Sequence, residues 1–409
     1  MRKNSHFSGQ PLYGQVIKLL DKSKILNFSR EKGGERYTKR FNCWIHLVVM
    51  LYAVIMRFDS LREITASLLA ETRKLAHLGI TFKIGRSTLA DANKRRPEAI
   101  FEAIYRDLYA TYRQVLSSDS RSRKTPKWMK RLQIIDSTTI TLFSNLLFKG
   151  AGRHPKTGKK KGGIKVHTVI HANEGVPSDI KFTSAATNDS FMLKPATLSK
   201  GDIMAMDRAY IDYAKFQQLT ERGVIYVTKM KKNLRYSVLS DTMYQTSDGL
   251  MEVRIQNVEF VKHIKGGETI HHKSRIITYV DVKKRKLISL LTNDMESDPE
   301  EIIAIYRQRW EIELLFKQIK QNFPLKYFYG ESANAIKIQI WVTLIANLLL
   351  MVLQKGLKRQ WSFSGLATMV RITLMYYVDF YSLFNNPEKE WEIILSEASG
   401  KPPEPSLFD

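Results

Sequence analysis

Residues 298–323, DPEEIIAIYRQRWEIELLFKQIKQNF, decide how the rest of the chain is read. The stretch reads as one long helix. Asp298 is placed to cap it, Pro299 suits its first turn, and Glu301 stands where it can complete a capping box. At about 100° per residue, Tyr306, Arg309, Glu313 and Lys320 fall within an arc of roughly 60°. Ile302, Ile305, Ile312, Phe316 and Ile319 form a neighbouring apolar stripe. One flank is therefore expected in a core, and the next presents phenol, guanidinium, carboxylate and ammonium together. A solvated helix with i,i+4 ion pairs would scatter its charges more evenly. Glu311 lies about 160° around the wheel from Glu313, off this arc.

Upstream, the apolar period changes from helix to strand at residue 132. LQIIDSTTITLF (132–143) reads as a strand rich in β-branched residues with Asp136 inside it. IKVHTVIHA (164–172) and PSDIKFTSA (177–185) follow as a strand pair. A helix of about ten residues is expected after Asn188-Asp189-Ser190. IMAMD (203–207) is a short buried strand ending in Asp207, Arg208-Ala209-Tyr210 opens another helix, and VIYVTKM (224–230) is a further strand. Residues 231–292 then show β-like alternation and read as an inserted β subdomain. The ends of the chain are helical. Leu12–Leu26, Phe41–Arg57, Leu61–Ala76 and Pro97–Leu116 carry helix-period apolar positions, as do Ile336–Leu357 and Leu366–Phe384.

The domain division expected is a helical N-terminal DNA-binding domain (1–118), a basic linker (119–131), a catalytic domain (132–230 with 293–330), the insert (231–292) and a helical C-terminal region (331–409). The segment from Ile84 to Arg96, small, polar and basic, suits a helix docked on DNA.

Charge narrows the function. Among 409 residues, Lys plus Arg is 65 and Asp plus Glu is 40, a net +25. So large an excess points to a polyanion partner. The basic residues recur along the whole chain and do not line one amphipathic helix, which favours nucleic acid over a membrane surface. Lys149–Lys165 holds seven basic residues and no acidic one. Its glycines do not make a phosphate-binding P-loop: five residues separate Gly152 from Gly158, and Lys160 follows Lys159 where Ser or Thr is required. Lys159, Lys160 and Lys161 are read as contacts to a phosphate backbone. The single cysteine, Cys43, excludes intrachain disulfides and cysteine-rich zinc sites. The polar start MRKNSHFSGQ carries no signal-peptide pattern. The apolar runs Trp44–Met56 and Ile340–Leu353 fall short of the roughly 20 residues that span a bilayer. A cytoplasmic, nucleoid-associated bacterial protein without a membrane partner is expected.

Phosphodiester chemistry needs a strong electrophilic centre, because the scissile oxygens are already anionic. Two hard divalent ions about 4 Å apart provide it, held by carboxylate oxygens. Asp136, Asp207 and Glu313 are the candidates. A carboxylate in an otherwise apolar strand is costly unless it coordinates something. There is no G-x-S-x-G elbow and no H-E-x-x-H, and Cys43 has no evident catalytic partner. Lys165 and His167 share one face of the second strand, alongside Asp136. His167 either meets DNA there or is a satisfied core histidine.

Together, DSTT at Asp136, K-x-H at Lys165 and His167, DRAY at Asp207, and Tyr306-x2-Arg309-x3-Glu313-x6-Lys320 resemble the DDE transposases of the IS4 insertion-sequence family. The last pattern matches that family's Y-R-E-K signature, with its spacing and chain order. The resemblance covers residues 130–325 strongly and the helical N-terminus more weakly. It implies an α/β, ribonuclease-H-like catalytic domain with a β insertion, flanked by helical N- and C-terminal domains. It implies that Asp136, Asp207 and Glu313 bind two Mg²⁺ (or Mn²⁺) ions. Tyr306, Arg309 and Lys320 would hold DNA phosphates, with Lys165, His167 and Arg208 close by. Trp310 follows the signature arginine as in relatives that handle a hairpin DNA end, where it would stack on a displaced base. The partners implied are double-stranded DNA, as transposon ends and target, and a second copy of the chain in a synaptic dimer. The activity implied is cut-and-paste transposition. A catalytically decayed DNA-binding derivative is disfavoured by the presence of all three carboxylates. A stand-alone ribonuclease-H-like nuclease is disfavoured by the large helical N-terminus.

Overall fold

The computed structural model describes residues 9–117, 125–141, 163–247, 249, 251–263, 269–281, 285–389, 391 and 395. They fall into two compact units. One runs up to Leu108 and resumes at Gln321; the other is Tyr109–Lys320.

The first unit is helical. Its elements are α1 (Leu12–Ile17), α2 (Lys22–Glu31), α3 (Cys43–Met56), α4 (Leu61–Ala70), α5 (Thr72–Ala76), α6 (Arg86–Arg95) and the start of α7 (Ala99–Leu116). The chain returns to it with α11 (Ala333–Lys355), α12 (Phe363–Thr373) and α13 (Phe380–Asn385). The stretch expected as one helix over Leu12–Leu26 is two, because Asp21 caps a new helix by accepting from the Ser23 and Lys24 amides. The two long apolar runs pack on each other as α3 and α11. By length and composition α11 is the one helix among the described residues able to cross a membrane by itself, yet 89% of its apolar window is buried inside the protein. Gln339 on it serves the core: its Nε2 donates to the Pro324 and Tyr327 carbonyls and its Oε1 accepts from the Tyr329 amide, so both ends of its carboxamide are paired.

The second unit is built on one nine-stranded mixed sheet of order β3-β2-β1-β4-β5-β9-β8-β7-β6. The strands are β1 (Leu132–Thr141), β2 (Gly163–His171), β3 (Pro177–Ser184), β4 (Ile203–Met206), β5 (Ile225–Lys229), β6 (Ser237–Gln245), β7 (Glu252–His263), β8 (Thr269–Asp281) and β9 (Lys286–Thr292). β1, β4 and β5 run parallel; the remaining neighbours are antiparallel. The helices are α8 (Tyr213–Glu221), α9 (Pro299–Gln308) and α10 (from Trp310).

The inserted segment does not form a sheet of its own. β9 pairs with β5, and β8, β7 and β6 continue outward from it. The reason is a shared core: Val258, Phe260 and Ile276 of the insert join Met206, Phe216 and Tyr226 in one buried cluster. The Phe216 and Tyr226 rings stack at 4.0 Å. The edge strand β6 falls within the stretch read as β, although its residues are almost all exposed and show no in–out alternation. The helix expected after Asn188 is instead two short 3₁₀ turns, Asp189–Met192 and Pro195–Thr197, interrupted where Pro195 cannot donate to a helical ladder.

Candidate active site

The register of two parallel strands sets the first pair of carboxylates. β1 and β4 align Ile135 with Met206. The next residue on each chain is an aspartate, Asp136 and Asp207. Neighbouring strands lie about 4.8 Å apart, so register alone makes these two side groups neighbours. Asp207 caps the turn that follows, its Oδ1 accepting from the Arg208 amide at 2.6 Å. Asp136 Oδ1 accepts from the Ser137 amide at 2.7 Å.

The third carboxylate comes from the helical stretch. This is two helices, not the single one expected: α9 ends at Gln308 and α10 begins at Trp310. At the joint the Arg309 amide bonds to the Tyr306 carbonyl at 3.1 Å, three residues back, a tighter turn than the α ladder. Arg309 keeps right-handed helical dihedrals, so the arc survives the break. Its guanidinium stands over the Tyr306 ring, 5.7 Å from the centroid. Arg309 Nη2 donates to Glu313 Oε1 at 2.6 Å, and Nη1 lies 3.8 Å from Asp136 Oδ2. Its Nε is buried with no acceptor among the described residues. Lys320 Nζ donates to Thr138 Oγ1 at 2.6 Å, tying α10 to β1.

The closeness of these groups sets their electrostatics. Burial pushes the Asp136 carboxyl up to about 6. The Ser137 amide and Arg309 oppose that rise, while Asp207 and Glu313 add to it. Three carboxylates therefore share one field, partly neutralised by one guanidinium.

A polar layer lies behind Asp136. Ser137 Oγ donates to Asp189 Oδ1 at 2.5 Å, and Lys165 Nζ reaches the same oxygen at 3.2 Å and the Thr187 carbonyl at 2.7 Å. His167 is fully buried. Its Nε2 donates to Thr183 Oγ1 at 2.7 Å, since that hydroxyl donates onward to the Ser184 carbonyl. Burial lowers the pKa of His167 from its usual value. His167 thus lies in the core beneath the site, with Nε2 bonded and Nδ1 buried 3.9 Å from Asp189 Oδ1 and without a hydrogen-bond partner among the described residues. Lys165, with a side chain 13% exposed, is committed to Asp189 in the same way. The sequence reading missed Ser137 and Asp189. Asp189 was taken only for a helix cap, and nothing in one sequence pairs it with a serine 52 positions away. Arg208 is exposed and Tyr306 half-buried, and Trp310 is 51% exposed beside Arg309. Lys159, Lys160 and Lys161 lie outside the described residues.

Among the described residues, no three His, Cys, Asp or Glu side chains close into a cluster able to hold a metal ion as they stand. The donor set still fits one. It is all carboxylate oxygen, the chemistry that hard divalent ions select, and the Arg309 guanidinium already supplies positive charge between Asp136 and Glu313.

Comparison with known proteins gives the family. Residues 127–349 match the family model described as transposase DDE domain, and residues 8–81 match a domain of unknown function, DUF4372. The protein y4zB of Sinorhizobium fredii, named as a transposase, is 30% identical over 268 residues, which is 66% of this chain and 71% of that one. The transposase named for insertion sequence element IS5377 of Geobacillus stearothermophilus is 24% identical over 285 residues, 70% of this chain and 72% of that one. The transposase for element IS231F of Bacillus thuringiensis is 22% identical over 266 residues, 53% and 55% of the two chains. A piggyBac transposase chain, solved as a synaptic complex with hairpin DNA, aligns over 97% of this chain and 87% of that one, at 12% identity and a TM-score of 0.44.

Proposed function

Because the chain belongs to the DDE transposase family of IS4-type insertion sequences, we propose that Asp136, Asp207 and Glu313 are its catalytic carboxylates. The protein is a DNA transposase, an enzyme that cleaves DNA and transfers strands with the help of divalent metal. The observation that carries the site reading is the convergence on Arg309: Glu313 at 2.6 Å and Asp136 at 3.8 Å, with Asp207 one register step from Asp136.

In this reading the three carboxylates would hold two Mg²⁺ ions, with Mn²⁺ as substitute, and the ions would supply Lewis-acid stabilisation of the attacked phosphate. Asp136 and Asp207, anchored by the Ser137 and Arg208 amides, set the fixed side of the site. Arg309 exchanges its carboxylate partners for a DNA phosphate when metal and DNA arrive. Lys320 and Arg208 hold neighbouring phosphates, as does the basic segment with Lys159, Lys160 and Lys161. Lys165 and His167 act from beneath, by positioning Asp189 and Ser137. Trp310, exposed at the rim, stacks on a base displaced at a hairpin end. The sheet, with two carboxylates on adjacent central strands, supports a ribonuclease-H-like catalytic domain (132–230 with 293–330) interrupted by the insert (231–292). The helical N-terminal region (1–118), followed by the basic linker (119–131), recognises the transposon ends. The C-terminal region (331–409) supports that helical unit. A homodimer joins two ends in a synaptic complex, working cut-and-paste in the bacterial cytoplasm at the nucleoid.

The test is Glu313→Gln with DNA carrying the element's inverted repeats. Cleavage should vanish while end binding survives, and Mn²⁺ affinity, read by calorimetry, should fall by at least tenfold. Normal cutting by this variant would remove Glu313 from the site. Equal cutting of DNA lacking the repeats would favour a stand-alone nuclease.

A further inference from the structure

The helical unit carries a cleft of about 890 Å³ between the loop that follows α2 and helix α6. Its walls include Arg36, Lys39, Arg40, Lys83, Arg95 and Arg96, against one acid, Asp91, which is already paired with Arg95. Three aromatic rings, Tyr37, Phe41 and Phe82, also line it.

Three features mark the cleft as built for a ligand. Tyr37 is 82% exposed and sits at φ 61°, a left-handed backbone that a bulky residue adopts only when something holds it there. Arg36 holds its ring: the guanidinium carbon lies 5.1 Å from the centroid, and Nη2 is 3.3 Å from the hydroxyl. Arg96 is the independent sign. It is only 6% exposed. Its Nε donates to the Gly34 carbonyl at 3.2 Å and Nη2 to the Phe41 carbonyl, stapling the loop to the end of α6. Its Nη1 is buried with no acceptor among the described residues. Enclosed in the wall, this guanidinium adds positive charge to the cleft without a ligand contact of its own. At the other end of α6, Gly85 provides no side-chain cap, and Thr88 in the first turn lines the cleft.

Size and composition select the ligand. A volume near 890 Å³ is that of a small-ligand site, too small for a duplex. Cations interleaved with aromatic faces are the chemistry of unpaired nucleotides: phosphates on the bases of the wall, a nucleobase on the ring. We infer that this cleft binds one or two unpaired nucleotides of a DNA strand, the base stacking on Tyr37 and the phosphates on Arg36, Lys39 and Arg40. The inference rests on the reading that the helical N-terminal region engages transposon ends, and it names what that region holds.

The test uses the full chain without metal. Fluorescence anisotropy compares a blunt duplex of the terminal repeat with the same duplex bearing a three-nucleotide overhang. The overhang should bind tighter, by roughly 5- to 100-fold, the range of one stacked base. Tyr37→Ala should abolish that gain and leave blunt-duplex affinity unchanged, while Tyr37→Phe should retain it. Arg36→Gln with Arg40→Gln should lower the salt slope on the overhang substrate by about 1.4, at about 0.7 per single-strand phosphate contact. Deoxyadenosine monophosphate at equal nucleotide concentration should compete poorly. Strong competition would make the cleft a free-nucleotide site and overturn the inference. Equal binding of both duplexes, or an overhang gain that survives in Tyr37→Ala, would also overturn it, leaving end recognition intact. Failure of the wild-type chain to bind either duplex would bring down both readings.

Discussion

Arg309 donates to Glu313 at 2.6 Å while its other terminal nitrogen lies 3.8 Å from Asp136, so one guanidinium spans two carboxylates drawn from α10 and β1. A cation in that position offsets the mutual repulsion of the acids before a metal is bound. Removing it exposes them to each other. Arg309→Ala should destabilise the metal-free protein by about 1–2 kcal/mol, with the loss recovered on adding Mg²⁺. Calorimetry in chelator and in Mg²⁺ separates the two conditions. The same variant should lose about 0.9 from the salt slope of end binding; an unchanged slope would show that Arg309 does not meet phosphate.

Asp136 gives a pH dependence of known sign. Its folded pKa is raised to about 6, mainly by burial. Between the ordinary aspartate value and about 6, the folded state holds a proton that the unfolded state releases. Stability attributable to this group therefore falls as pH rises through that window, and it is lowest above about 6. Asp136→Asn should stabilise the metal-free protein at pH 8, by at most about 3 kcal/mol, and the difference should shrink by pH 4. Urea denaturation at the two values checks it. Mn²⁺ binding to the wild type should weaken below pH 6, because metal and proton compete for one carboxylate.

His46 has the opposite sign. Burial, followed by the charge of Arg96, lowers its pKa to about 3, against a 2.8 Å hydrogen bond to Asn93. The unfolded state takes up a proton near pH 6.5 that the folded state refuses. Its contribution is present above that value and is lost as pH falls toward 3. His46→Gln should flatten the decline in stability between pH 6.5 and 4 relative to wild type, measured by denaturation across that range.

Asp189 accepts from Ser137 and Lys165 at once, behind Asp136. Asp189→Ala leaves a largely buried ammonium without its carboxylate, held only by the Thr187 carbonyl, and should cost on the order of 3 kcal/mol. Asp189→Asn keeps the shape and one acceptor. It should fold but cleave end DNA about 10-fold more slowly, with unchanged end affinity. A variant that cuts at the wild-type rate would show that Ser137 does not need this partner to hold Asp136.

Much of this was legible along the chain. The Tyr306–Lys320 arc, the strand around Asp136 and the short strand ending at Asp207 follow from local periodicity, and they emerge as β1, β4 and α9–α10. The short apolar run Trp44–Met56 emerges as a buried helix, whereas length did not decide Ile340–Leu353: its helix, Ala333–Lys355, is long and apolar enough to span a bilayer, and packing inside the protein buries it. What stayed hidden depended on partners distant in sequence. His167 was open between a DNA contact and a core position, and its bond to Thr183 depends on the placement of β3, which the local sequence does not reveal. Residues 231–292 looked separable until Val258, Phe260 and Ile276 joined the core that also holds Met206.

The sequence by itself singled out the candidate residues, because side-chain type and helical or strand spacing are local properties of the chain. Only the tertiary structure decided their mutual placement: the Ile135–Met206 register that sets Asp136 beside Asp207, and the turn at Arg309 that aims a guanidinium at Asp136. Register and long-range contacts come from packing a shared core, and core packing is a property of the folded chain that no single segment encodes.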